Sequence, residues 1–247
     1  MIQRRQNATA FALAAILGFS LTSLAAEAQA LSVLPVNIFL QPGQAATALT
    51  VTNQGSGTTA IQIRAYAWDQ HNGDDELTPS GEVVISPPIA SIAPGGNQVV
   101  RIILRLPPRS RDKESTYRIL VDQIPPPAEP GIVHVVLRLS IPIFAEPSKH
   151  AVPNLQFHIE TNAGQIFLVG NNSGLRHDVV RDIELSTSDG RKLKPVSGSS
   201  PYILAGATRR WNIAAQGPVP LPSDALTLTG HSDTGAIEQQ VRVVSTP

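Results

Sequence analysis

The side chains in this 247-residue chain best suited to proton transfer or metal binding are its six histidines, His71, His134, His150, His158, His177 and His231. No two of them stand at a metal-ligand spacing, and no H-E-x-x-H occurs, so the pattern that places two imidazoles around a zinc ion is missing. The chain has no cysteine, which excludes thiol nucleophiles, thiolate metal sites and disulfides together. No G-x-S-x-G prepares a nucleophile elbow, and Gly55-Ser56-Gly57 reads as a turn, not a phosphate cradle. Asp69, Asp74, Asp75 and Glu76 concentrate acid in one stretch, but without the ligand order of a calcium loop, so they read as a solvated loop tip. Arg109, Arg111 and Lys113 form a short basic run with no interleaved aromatics, again a solvated loop. Asn171-Asn172-Ser173 matches a glycosylation sequon, a pattern too common to carry weight. Nineteen basic residues balance nineteen acidic ones, which leaves no electrostatic footprint for nucleic acid. No metal or cofactor is expected, and the chain does not read as an enzyme.

What the sequence offers instead is residues 132–144, IVHVVLRLSIPIF. Val133, Val135, Leu137, Leu139, Ile141 and Ile143 alternate onto one face, with His134, Arg138, Ser140 and Pro142 on the other. Such alternation marks a half-buried strand. At about 3.3 Å per residue it would run roughly 40 Å, more than twice a common strand. Pro142 cannot donate to a ladder, so the strand lies on a sheet edge or breaks there. Two readings are open: an ordinary core strand of a sandwich, or a strand that pairs with another chain by strand addition.

The remaining chain is punctuated by 21 prolines and 18 glycines between short Val-, Ile- and Thr-rich runs, which predicts an all-β fold. Arg4 and Arg5, the apolar residues 11–26 and Ala28-Gln29-Ala30 have the form of a signal peptide cleaved after Ala30, so residues 1–30 are expected to be removed and the mature chain exported and not membrane-embedded. Strands are expected at 32–40, 47–52, 59–68, 83–85, 98–106 and 115–124, the last ended by Pro125-Pro126-Pro127, with a polar loop at 69–75. With the long alternating strand this gives the count and spacing of an immunoglobulin-like sandwich over residues 31–147. A second all-β set follows over 148–247, with turns at 171–174, 189–190 and 218–222. Outside the leader no segment has a helical period.

Signal peptide, two sandwiches and a long alternating strand closing the first together resemble the PapD-like periplasmic chaperones of the chaperone–usher pilus pathway. The stretches carrying the resemblance are PPIASIAPGGNQVVRI from Pro87, ESTYRILVDQIP from Glu114, LTVTNQG from Leu49, AYAW from Ala65, and in the second half FLVGNNSGLRHDVVRDIEL and YILAGATRRWNI. The resemblance covers nearly all of the mature chain. It implies two immunoglobulin-like domains in an L-shape and a periplasmic protein that stabilises pilus or fimbrial subunits by donor-strand complementation, then delivers them to an outer-membrane usher. The donor residues would be Val133, Val135, Leu137 and Leu139, with Ile141 next in line. A self-capping dimer of the free protein would cover the exposed edge.

The better-known branch of this family holds the subunit's C-terminal carboxylate with two basic residues, but the matching positions here are Asn37 and Pro142. Tyr117-Arg118 resembles the archaic branch, which makes Arg118 the expected carboxylate anchor. Arg101 and Glu114 match a family pair that implies an internal salt bridge. Glu146 stands where the family often has an interdomain arginine, which implies a rearranged linker contact. The reading weighed against this one is an exported adhesin or carbohydrate-binding sandwich; an aromatic content of 4% counts against it.

Overall fold

The computed structural model describes residues 31–105, 112–127, 130–131, 135–147, 150–198, 200–214, 220 and 224–245. Among these residues it is all-β, without a helix. The strands of the first half are β1 (Leu31–Leu34), β2 (Ile38–Leu40), β3 (Ala46–Asn53), β4 (Thr59–His71), β5 (Asp74–Pro79), β6 (Val83–Ser86), β7 (Ile89–Ile92), β8 (Asn97–Leu104), β9 (Ser115–Ile124) and β10 (Arg138–Ala145). They form two sheets, β1-β3-β8-β6 and β2-β10-β9-β4-β5, with β7 paired to the start of β4. Alternation puts one apolar face of each sheet inward, and the two faces close on each other as a sandwich. Leu49, Val51, Val100 and Ile102 from one sheet pack with Ile61, Ile119, Val121 and Ile143 from the other.

The second half holds β11 (Leu155–Asn162), β12 (Gln165–Asn172), β13 (Asp178–Val179), β14 (Arg181–Ser186), β15 (Lys192–Pro195), β16 (Tyr202–Ile203), β17 (Thr208–Ala214), β18 (Leu226–Ser232), β19 (Gly235–Val241) and β20 (Val243–Ser245). Its own core gathers Ile159, Leu168, Leu185, Trp211, Leu226 and Leu228. The short β15 joins the two layers: Leu193 pairs with Leu185 of β14, and Pro195 pairs with Ile213 of β17.

Each sandwich pins one strand end with a buried asparagine. The Asn53 side chain donates to the Gly57 and Ile92 carbonyls at 2.7 and 2.9 Å and accepts from the Gly55 N–H at 3.0 Å. Asn172 repeats the device, donating to the Arg176 and Ile203 carbonyls at 2.7 and 3.2 Å and accepting from the Gly174 N–H at 2.9 Å. This is the physical content of the TNQG and NNSG stretches. An asparagine satisfies donors and acceptors that a turn inside the fold would otherwise leave unpaired.

Four expectations change. Residues 32–40 do not form one strand. The chain breaks around Pro35, which has no N–H to give a ladder, and β1 and β2 join opposite sheets. The acidic stretch 69–75 is not an open loop: β4 continues to His71 and returns as β5 through Asn72-Gly73, with φ of 53° and 89°. Two positive φ values in a two-residue connection are what an Asn-Gly hairpin requires. β15 had no counterpart in the sequence reading. Finally, β10 begins at Arg138; Val135 to Leu137 lie outside it, and residues 132–134 fall outside the described residues.

Ile119 is fully buried in the first core and takes no part in the second. Ile119→Ala is expected to destabilise the first sandwich by about 2–5 kcal/mol, read from denaturant unfolding, because a cavity adds to the lost transfer energy.

Candidate functional site

The edge strand β10 is flanked on one side by β9 along its whole length. On the other side β2 covers only Ile143 to Ala145. The Gln123 N–H donates to the Leu137 carbonyl at 2.9 Å. Antiparallel alternation therefore turns the main-chain groups of Leu137, Leu139 and Ile141 toward β9 and those of Arg138 and Ser140 outward. Among the described residues no strand pairs with that outward side of Arg138 and Ser140. Pro142 occupies the next outward position, where its missing N–H costs nothing. β10 is thus the edge strand that the proline implied.

Side chains follow the same alternation. Ile141 is only 3% exposed and serves the chain's own core, so it is not free to act as a donor side chain here. Leu139 and Leu137 pack partly against that core and remain half-exposed at its open end. Val135 is 79% exposed. Val133 lies outside the described residues. The strand stops where its partner does: the Gln123 side chain accepts the Leu137 N–H at 3.2 Å, and β9 then gives way to Pro125-Pro126-Pro127, which have no donors to extend the ladder.

Arg118 sits beside this edge. On the outer face of the sheet it is in register with Pro142 of β10 and Tyr66 of β4. Its guanidinium carbon lies 3.7 Å from the ring centre of Trp68 and 5.3 Å from that of Tyr202, which belongs to the second sandwich. Cation–π contact with both rings holds the group in place. Among the described residues it makes no hydrogen bond or ion pair. Burial pulls its pKa below the ordinary arginine value, and the nearby Asp75 carboxylate only partly opposes that shift. An aromatic slot thus holds a desolvated cation with its hydrogen-bond donors unspent. Such a group gains strongly from a carboxylate, which guanidinium binds with two parallel bonds. The Tyr202 hydroxyl, directed at Asn37 Oδ1 at 3.4 Å, ties the second sandwich to the loop before β2.

The two sandwiches meet along a buried seam that positions Tyr202. Trp68, Phe144 and Leu204 are buried together, with Tyr202 and Ala207 packed against them. The His177 ring stacks on Phe144 at 3.6 Å between centres. Glu114 Oε2 accepts both the His177 backbone N–H at 2.9 Å and His177 Nδ1–H at 2.7 Å. Gln70 bridges as well, donating to the Tyr202 carbonyl at 2.9 Å and accepting from the Leu204 N–H at 3.0 Å. Asp75, from the acidic stretch, faces Arg209 Nη1 at 3.2 Å.

The expected Arg101–Glu114 bridge is therefore not formed. Arg101 is exposed on β8, while Glu114 is buried at the seam, just before β9 of the other sheet, and bonded through Oε2 to His177. Glu146 does make a linker contact of altered charge, with Arg176 Nη2 of the second sandwich 3.8 Å away. His177 and Tyr202 lie within stretches that carry the resemblance, but nothing near them or near Gln70 in the sequence marks a role at the seam.

Residues 30–151 match the model of the pili and flagellar-assembly chaperone family, PapD N-terminal domain. The first sandwich belongs to this family. It is 30% identical over 102 residues to the chaperone protein FaeE of Escherichia coli, covering 41% of this chain and 38% of that protein. It is 31% identical over 129 residues to the chaperone protein FimB/FhaD of Bordetella pertussis, covering 49% of this chain and 51% of that one. The matches thus span between about a third and a half of these relatives' length. The fold of most of the chain, both sandwiches included, is shared with solved chaperones. A chain of the CsuC–CsuE chaperone–tip adhesion subunit pre-assembly complex, from the archaic Csu pili of Acinetobacter baumannii, aligns with a TM-score of 0.64 at 22% identity, covering 88% of this chain and 100% of that one. A chain of the SafA pilin–SafB chaperone complex of Salmonella enterica gives 0.59 at 15% identity, covering 89% and 98%.

The seam is directly testable. Glu114→Ala leaves buried donors of His177 unpaired and is expected to cost about 1–3 kcal/mol in urea unfolding. Arg101→Ala should stay within about 0.5 kcal/mol, as a surface change does. Equal losses in the two variants would restore the Arg101–Glu114 pair.

Proposed function

We propose that this protein is a periplasmic chaperone for pilus or fimbrial subunits, capturing each subunit by donor-strand complementation and passing it to an outer-membrane usher. The observation that carries this reading is the outward edge of β10 at Arg138 and Ser140, which among the described residues is unpaired and lies beside a guanidinium that makes no hydrogen bond or ion pair. A subunit lacking one strand of its sandwich supplies what both features want: a strand edge for the ladder and a terminal carboxylate for Arg118. The half-exposed Leu137 and Leu139, with Val135 and Val133 before them, then fill the subunit's open core. Completing the burial of each such side chain contributes up to roughly 1.5–3 kcal/mol, and the added ladder contributes main-chain hydrogen bonds. Arg118 takes the part of the paired basic residues that Asn37 and Pro142 replace. No chemical step is required, so the protein acts by binding and not as an enzyme. Residues 1–30 direct export and are removed after Ala30.

Leu137→Arg sets a charge into the interface and is expected to abolish co-purification of small β-rich exported subunits while the chain stays folded. Full subunit yield with that variant would contradict the donor-strand assignment. Arg118→Ala removes charge-assisted hydrogen bonds worth about 1.5–3 kcal/mol, so subunit affinity should fall by roughly tenfold to a hundredfold. Unchanged affinity would leave the donor strand standing and remove the anchor.

A further inference from the structure

On the outer face of the same sheet, two arginines from the strands either side of β9 converge on one carboxylate. Asp122 of β9 lies opposite Arg138 of β10 in register, and Arg64 of β4 reaches it diagonally, from the position facing Leu120. Arg64 donates through Nη2 at 2.6 Å and Nε at 3.2 Å to Oδ2. Arg138 Nε donates to Oδ1. Each carboxylate oxygen thus holds one arginine. Asp122 is 15% exposed, whereas both arginines are substantially exposed.

We propose that Asp122 is a positioning residue for subunit capture: through Arg138 it fixes the register and straightness of the edge strand where that strand leaves the sheet. The proposal rests on the donor-strand reading above. Three observations support it. First, among the described residues the strand has a ladder on one side only over Arg138 to Pro142, and that ladder is with β9. Second, the cluster sits at the last fastened point: the Leu137–Gln123 bonds are its neighbours, and Val135 beyond them is exposed and outside the strand. Third, only one register satisfies it. A slip of one residue would send Leu137 and Leu139 to the wrong face. A slip of two would set Arg138 against Leu120 or Ile124 and leave Asp122 with Arg64 alone. Burial opposes the Asp122 charge, but the hydrogen bonds from Arg138 and Arg64 outweigh it and hold the carboxyl below the usual carboxylate range. What the cluster stabilises is therefore present above that range and lost only as the pH falls through the depressed value. It stays charged through neutral and mildly acidic conditions.

Exposed ion pairs add little to global stability, so the role shows as local order. In Asp122→Asn the unfolding midpoint is expected to hold, while the Leu139 amide, bonded inward to β9, exchanges several-fold faster by NMR. Association with the co-purifying subunit should slow by about tenfold, as it would if the competent strand geometry fell to a tenth of the population. Arg64→Met, which lies off the edge strand, should move both readouts in the same direction, and Asp122→Glu should recover part of each. Wild-type Leu139 exchange in Asp122→Asn and Arg64→Met, or faster exchange with an unchanged association rate, would overturn the proposal. If Asp122→Asn unfolds globally, Arg64→Met alone decides by the same two readouts. Subunit binding that survives Leu137→Arg would instead overturn the donor-strand reading, while the exchange of the free chain would still report on the cluster.

Discussion

The structure depends on a ladder left half made. β10 is bonded to β9 from Leu137 onward, yet on its other side β2 joins only at Ile143. Every unpaired main-chain group on a sheet edge invites another strand, and folds ordinarily cover or charge such edges. Here the covering strand is short because the chain breaks around Pro35 and spends β1 on the opposite sheet. The half-exposed Leu137 and Leu139 lie on the stretch that stays open, so hydrogen bonding and apolar burial are incomplete at one place. An edge that solvates its backbone while showing leucines to water is most stable with a partner, which is how the geometry becomes a binding function.

The seam between the sandwiches gives that edge its neighbour. Burying Trp68 and Phe144 against Leu204, with His177 stacked on Phe144 and bonded to Glu114, fixes where Tyr202 stands. Tyr202 and Trp68 then bracket Arg118 and take water from it. The cation is poised because both sandwiches contribute to its slot. Loosening the seam should therefore weaken the carboxylate binding proposed for Arg118, because it displaces the rings that hold the guanidinium.

Much of this was legible in the sequence, where it depended on neighbours along the chain. The alternation in residues 98–104 and 115–124, the turn chemistry of Pro94-Gly95 and the edge placement implied by Pro142 are local, and each appears in the fold. The Asn72-Gly73 hairpin was also local, but the acidic residues around it read as solvated loop and hid it. What could not be read were pairings across the fold. Glu114 and His177 are separated by 63 residues, and nothing in either neighbourhood names the other. A family pattern supplied Arg101 as the partner, but Arg101 lies on β8 of one sheet and Glu114 at the seam, just before β9 of the other. The length of β10 was overestimated for a similar reason: alternation continues through Val133 and Val135, but a ladder also needs a partner, and β9 ends in three prolines.

The central claim is that β10 gains a strand on its outward side. The most direct measurement is site-resolved hydrogen exchange of the mature chain, alone and saturated with its co-purifying subunit. The outward amides of Arg138 and Ser140 should exchange rapidly in the free chain and become strongly protected in the complex, while the Ile141 amide, already bonded to β9, changes little. A saturated complex in which Arg138 and Ser140 exchange as freely as before would contradict strand addition at this edge.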